Sequence, residues 1–247
     1  MTSPNYNTFK QLQVERRERL LIIKFNDGEW QRRTIYELLR ILDVANGDAD
    51  VAIIVLTGNF EAGQSQSEET TTHPAPAKDK DEVEAREVQS RASSFVMRSL
   101  AKKLLLNRKL LVSCVQGKCV GLGVTICTLS DIVYASRSSQ FDLSLNKIDG
   151  SGLVGLWTLS HLKLALESGE LLDAHAAQNR GFVTGLLDDS QAGLAKFWQR
   201  LGEHSLLPID SLMATKRLLM HPWHEKLLEA LREEGTPQAS AQRRGKL

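Results

Sequence analysis

The stretch Val51-Ala52-Ile53-Ile54-Val55-Leu56 constrains the fold more than any other part of the chain. It is uncharged, rich in β-branched residues and bounded by Thr57-Gly58. Alternate side chains of a strand point to opposite faces, so a strand that is apolar at every position has no wet side. Such strands belong to sheets covered on both faces. A second run, Leu20-Leu21-Ile22-Ile23 within Arg19 to Phe25, ends at Asn26-Asp27-Gly28 and predicts another buried strand and a turn. Between the two, Ile35, Leu38, Leu39 and Leu42 recur at i, i+3, i+4 and i+7. That is one apolar face of a helix, and Asn46-Gly47 is where it should stop. Strand, helix and strand in that order predict a right-handed crossover unit and an α/β fold.

The pattern then breaks. Gln64 to Thr72 is Gln, Ser, Glu and Thr, followed by His73-Pro74-Ala75-Pro76-Ala77, and Lys78 to Arg91 carries four basic and five acidic residues. With little to bury, residues 64–94 are expected to be a mobile loop and a charged helix start. A helix follows from about Ala92 to Asn107, with Val96, Met97, Leu100 and Leu104 inward. Leu110 to Val115 reads as a third strand, Gly117 to Gly123 as a glycine-spaced turn, Val124 to Leu129 as a short buried helix and Asp131 to Ala135 as a fourth strand. Beyond Ser136 the expectations are a helix over Leu153 to Leu166, then a short helix closed by a turn and a strand between Leu172 and Val183. Three more helices are expected over Leu194 to Leu201, Pro208 to Met220 and Trp223 to Arg232. The division is a core over 1–190, C-terminal helices over 191–234 and a loose polar tail over 235–247.

Charge excludes some functions. Lys plus Arg is 31 and Asp plus Glu 30, a net charge of +1 that does not suit a nucleic-acid binder driven by counterion release. No apolar run is long enough to span a bilayer. Met1 to Lys10 is polar and holds no signal-peptide core, so Cys114, Cys119 and Cys127 are expected to stay reduced and to serve as small buried apolar residues. Their spacing fits neither a zinc knuckle nor a redox pair. His221 and His224 flank Pro222 with no third ligand near, so no metal site is expected. Ser113, Ser130 and Ser138 lack a Gly-x-Ser-x-Gly setting, which disfavours a serine hydrolase. Trp157, Trp198 and Trp223 read as packing residues.

Two glycine-containing turns follow strands. The first is Thr57 to Gln64, and the second is Gly117 to Gly123, which opens a helix. In open α/β sheets ligands sit beyond the carboxyl ends of strands. Glycines there let backbone N–H groups approach closely, and two such groups aimed at one carbonyl oxygen make an oxyanion hole. Alone, either turn can be a turn and nothing more. The spacing of Gly117, Gly121 and Gly123 is wrong for a dinucleotide fingerprint, and no Walker lysine follows.

Taken in order, these pieces resemble the crotonase superfamily, the enoyl-CoA hydratase/isomerase family. The resembling residues are Ile53 to Gly58, Phe60-Glu61-Ala62-Gly63, Val115-Gln116-Gly117 through Gly121-Leu122-Gly123, Ser130 to Ser136 and Phe141. They continue with Leu172-Asp173-Ala174 to Gly181-Phe182-Val183 and with Lys216 to Leu219. Within the family the chain is most similar to peroxisomal-type Δ3,Δ2-enoyl-CoA isomerases. The resemblance implies a crotonase-type spiral of β-β-α units with a C-terminal helical region, assembled as a homo-trimer or hexamer. It implies an acyl-CoA ligand, no resident cofactor, and an oxyanion hole from the backbone amides of Gln64 and Leu122. Glu61, Ala62, Gly63, Ser65 and Gly121 would line the substrate.

Some positions depart from the family pattern. Ser65 stands where most active members carry Asp. Asn26 to Arg33 replaces the usual Asn-Arg-Pro entry to the first helix, with Arg32 and Arg33 as substitute phosphate contacts. Moving a proton from C2 to C4 of the acyl chain needs one carboxylate. Between Phe141 and Glu167 the acidic residues are Asp142 and Asp149, and Asp149-Gly150 takes the place of the family's Glu-Gly. Asp149 is therefore the expected base, with a turn residue as its other reading. No acidic residue lies in Gly117 to Leu129, which disfavours hydration through two carboxylates. Two functions stay open: a Δ3,Δ2-enoyl-CoA isomerase of fatty-acid β-oxidation, or a catalytically impaired paralogue that binds acyl-CoA or acts as an oligomer scaffold. The ending Gly245-Lys246-Leu247 is similar to a peroxisomal address of the Ser-Lys-Leu type, with a cytoplasmic location as the alternative.

Overall fold

A computed structural model describes residue 4 and residues 6–26, 32–61, 95–142 and 171–233. After a 3-10 turn at Tyr6–Thr8, strands β1 (Leu12–Arg17) and β2 (Leu20–Phe25) form an antiparallel hairpin. Helix α1 (Arg32–Gly47) crosses to β3 (Ile53–Glu61), which pairs parallel with β2. Residues 95–105 form α2, followed by β4 (Leu110–Val120), α3 (Leu122–Thr128), β5 (Ile132–Ser136) and β6 (Gln140–Asp142). Then come β7 (Leu172–Asp173), α4 (Ala174–Asn179), β8 (Gly185–Leu187), α5 (Gln191–Ser205) and α6 (Ile209–Glu233). The sheet runs β1-β2-β3-β4-β5-β8, with β6 pairing β4 and β7 pairing β6. All pairings are parallel except β1 with β2 and β6 with β7.

The two-sided burial expected of Val51 to Leu56 is what forms. Ile54 and Leu56, with Leu21, Ile23 and Leu111, belong to a core shared with Leu38, Leu42, Leu100, Leu104 and Ile126 of α1, α2 and α3. Ile53 and Val55, with Leu20, Ile22 and Val112, belong to a second core, against Leu201, Phe197 and Trp198 of α5 and Leu212 of α6. Asp173 caps α4 by accepting from the Ala176 amide at 2.7 Å, which explains the Leu172-Asp173-Ala174 wording. The three cysteines are free and buried.

The structure differs from the sequence reading in several places: β6 was not expected, and the strand expected by Val183 forms at Gly185–Leu187. Strand β1 was not expected, because its polar face (Gln13, Glu15, Arg17) masks Leu12 and Val14. Gly117 to Val120 is strand, so the glycine-spaced turn shrinks to Gly121. Thr57 to Glu61 likewise extends β3. The helices expected over Pro208 to Met220 and Trp223 to Arg232 are one, α6, with Pro222 inside it. Proline removes one amide and therefore one hydrogen bond. Buried Leu227 and Leu231 anchor the turns beyond it. The helix expected over Leu153 to Leu166 and the loop over 64–94 lie outside the described residues.

Candidate active site

The site is built by glycines at the carboxyl ends of β3 and β4. Gly58 pairs with Phe25 and has φ 99°, and a Cβ there would collide with the Phe25 carbonyl oxygen. Only glycine lets β2 and β3 approach so closely in this conformation. The β3–β4 register shifts between Gly58 and Phe60, a bulge that re-aims the end of the strand. Beyond it Phe60 pairs with Cys119 and Glu61 with Val120. The Phe60 ring is buried edge-on against Phe25, with centroids 5.3 Å apart.

The chain leaves β4 through Gly121, whose φ of 58° and ψ of −119° suit glycine alone. Helix α3 starts at once. The amides of Val124 and Thr125 bond to the Gly121 carbonyl at 3.1 and 3.3 Å. Helix geometry leaves the amides of Leu122 and Gly123 with no acceptor in the helix. Gly123 sits directly on the Phe60 carbonyl, so the first turn of α3 is seated against the end of β3. Cys119 of β4 and Cys127 of α3, with sulfurs 3.8 Å apart, pack the same junction. Burial, with Cys127 beside it, pushes the Cys119 thiol well up, so it is a packing group and not a nucleophile.

Register adds a residue that the sequence reading passed over. Strand β6 lies on the other side of β4, with Asp142 opposite Val120. Glu61, Val120 and Asp142 therefore form a level row at the carboxyl edge, immediately before Gly121. Glu61 is exposed, with its amide on Asn59 Oδ1 at 2.8 Å, whereas Asp142 is only 5% exposed. The available signal was Phe141: a core aromatic in a strand puts its neighbour on the opposite face. Arg32 and Arg33 open α1 at the same end, because β2 ends beside Gly58. Of the residues expected in the site, Glu61, Gly121 and Leu122 come together here. Ala62, Gly63, Gln64, Ser65 and Asp149 lie outside the described residues.

Other chemistry-bearing side chains are structural. Ser113 and Ser130 share a 2.7 Å hydrogen bond, and the His224 Nε2 meets the Leu105 carbonyl at 3.0 Å. Trp198 packs against Phe197 and beneath Arg17, as expected of a packing residue. Trp223 departs from that expectation: it is 44% exposed, with Lys226 over its ring.

Comparison with known proteins identifies the family and the fold. Residues 15–243 match the family described as enoyl-CoA hydratase/isomerase, and the chain belongs to that family, with the crotonase fold. It is 27% identical over 210 residues to human enoyl-CoA delta isomerase 2, covering 81% of this chain and 50% of that protein. It is 26% identical to the rat protein of the same name, covering 87% of this chain and 55% of the relative. The chain thus spans about half the length of these curated relatives. Among solved structures, an enoyl-CoA hydratase from Bacillus halodurans superposes with a TM-score of 0.72 at 18% identity, covering 92% of each chain. An enoyl-CoA hydratase/isomerase from Pseudoalteromonas atlantica gives 0.70 at 21% identity, covering 92% of this chain and 89% of the other.

Proposed function

We propose that the chain is a Δ3,Δ2-enoyl-CoA isomerase acting on acyl-CoA thioesters. The observation that carries this reading is the β3–β4 register, which sets the exit of β3 at Glu61 beside the Gly121 hinge and the first amides of α3. The similarity to enoyl-CoA delta isomerase 2 favours isomerisation over hydration. In this mechanism the thioester oxygen accepts hydrogen bonds from the Leu122 and Gln64 amides. These amides stabilise the enolate formed when a proton leaves C2. One such donor contributes a factor of about 10²–10³ in kcat. Asp149 takes the proton from C2 and returns it to C4. Arg32 and Arg33 contact the CoA phosphates. No resident cofactor is required, and the assembly is a homo-trimer or hexamer.

The test follows conjugation of a 3-enoyl-CoA by absorbance. Asp149→Asn should abolish turnover and Asp142→Asn should retain it; the reverse outcome moves the proton shuttle to the buried carboxylate beside Val120. Leu122→Pro removes one oxyanion donor at a first helical position, where proline is tolerated. It should lower kcat by about 10²–10³, while Leu122→Ala, which keeps the amide, should not. A folded wild type that turns over no 3-enoyl-CoA of any chain length would overturn the reading. It would leave a catalytically impaired acyl-CoA-binding or scaffold protein.

A further inference from the structure

A cavity of about 550 Å³ lies between the α2–β4 connection and one face of α6. That volume is in the range of small-molecule sites. It opens at the amino end of β4, before Leu110, whereas the candidate active site begins after Val120. Ten strand residues separate the two by up to about 33 Å, so this is a separate place on the molecule.

The cavity has a charged rim and an apolar wall. Leu106, Met213 and Met220 give the wall, and Arg108 and Arg217 give two guanidiniums. Neither arginine makes an ion pair among the described residues, and both are exposed. The third cation at the cavity, Lys216, is already spent. Its Nζ lies 2.7 Å from Asp131 Oδ2 and donates to the Lys109 carbonyl at 2.7 Å. Set against Asp210, the two arginines leave the cavity with one net positive charge. Asn107, 2% exposed, also lines it. Its Nδ2 donates to the Lys109 carbonyl at 2.7 Å, and this fixes the amide so that Oδ1 is left with no hydrogen-bond partner. A buried acceptor without a donor is uncommon in native proteins and calls for an explanation.

We propose that this cavity binds an organic anion. Its carboxylate or phosphate head lies between the Arg108 and Arg217 guanidiniums, and its apolar body lies on Leu106, Met213 and Met220. Guanidinium forks match both head groups. A hydrogen-bond donor on the ligand would meet Asp210 on this wall. The inference is independent of the isomerase reading, because it uses the other end of the sheet.

Calorimetric titration of the full chain tests it, with decanoate, decyl phosphate and inorganic phosphate as probes. At least one decyl probe should bind, and whichever does names the head group. The Arg108→Ala/Arg217→Ala double variant should bind it at least tenfold more weakly, and Lys102→Ala, which removes a positive charge outside the cavity, should bind like wild type. If the double variant folds poorly, Arg217→Gln, confined to an exposed helix position, should still weaken binding several-fold. Three outcomes would overturn the proposal. One is no binding of either decyl probe to wild type. Another is equal affinity in the arginine variants, which would place the probe elsewhere. The third is inorganic phosphate binding as tightly as the decyl compounds.

Discussion

Gly123 offers a sharp test of how the site is assembled. It lies inside α3 with an ordinary helical backbone, so on propensity alone alanine should be better there by about 0.5–1 kcal/mol. The surroundings reverse that expectation. A Cβ at residue 123 would fall about 1 Å inside the closest approach that real Cβ atoms make to a carbonyl oxygen, here that of Phe60. It would also stand 3.0 Å from the Phe60 carbonyl carbon. These are backbone atoms of a fully buried, paired strand, so no side chain can swing away. The first turn of α3 must move instead, by about 1 Å, taking the Leu122 amide with it. Overpacking of this kind costs about 1–3 kcal/mol, a fall in Tm of roughly 2–12 °C for a chain of this size. A misplacement of about 1 Å in a positioned catalytic donor can cost about 10²-fold in rate. Gly123→Ala should therefore lower both the calorimetric Tm and the turnover of a 3-enoyl-CoA, with turnover falling further than stability explains. Gly47, at the end of α1 with nothing within 4 Å of a built Cβ, is the control, and Gly47→Ala should be near neutral. A Gly123→Ala protein as stable and as active as wild type would refute the proposed seating of α3 on β3.

Three further outcomes follow from the buried polar groups. Tyr6 donates to Asp48 Oδ2 at 3.0 Å, and burial, then this bond and the Asp48 charge, raise its pKa well above the ordinary tyrosine value of about 10. Its stabilising contribution is present below about pH 10 and is lost as pH rises toward the folded-state value. In denaturant melts the advantage of wild type over Tyr6→Phe should shrink above pH 10, by up to about 1.4 kcal/mol per pH unit. The subtraction matters because burial lowers the pKa of Lys109 and Lys216, which gives the opposite slope at pH values up to about 10.5, just where the tyrosine effect begins. Lys216→Met strands Asp131, whose Oδ2 would keep only the Leu111 amide at 2.7 Å, and should cost about 3 kcal/mol. Adding Asp131→Asn should recover part of that loss, as read by urea midpoints. Cys114, Cys119 and Cys127 are each at most 2% exposed, so an aromatic disulfide reagent should titrate all three only as the protein unfolds.

The parts of the fold legible in the sequence are those with a single way to be buried. Val51 to Leu56 has no polar face, and Ile35, Leu38 and Leu42 share one stripe, so strand β3 and helix α1 were readable without any partner in view. Strand β1 was not, because four of its six residues are charged or polar and Leu12 and Val14 face a core assembled from distant segments. The end of β4 was misread for the same reason. Gly117-Lys118 looks like a turn, yet Lys118 is held in register with Gln140 of β6, a pairing that no local pattern reveals. Glycine spacing led to Gly121, where the chain does turn into α3. The row of Glu61, Val120 and Asp142 depends on two registers at once, so Asp142 looked like one more acidic residue between Phe141 and Glu167.

The two ends of the central strands use opposite devices, and this explains which residues can vary. At the amino end, side chains hold the backbone together: Lys109 Nζ donates to the Asp48 carbonyl at 2.7 Å, and Lys216 joins Asp131 and the Lys109 carbonyl. A hydrogen-bonded buried pair of this kind tolerates replacement of both partners better than loss of one. At the carboxyl end, the backbone itself makes the contacts, and Gly58, Gly121 and Gly123 stand where a Cβ is excluded by a neighbouring carbonyl or by positive φ. Nothing on a side chain can compensate there, because the fault would lie in the path of the chain. Leu122 can carry any side chain that packs, provided that Gly121 turns and Gly123 lets the helix sit down.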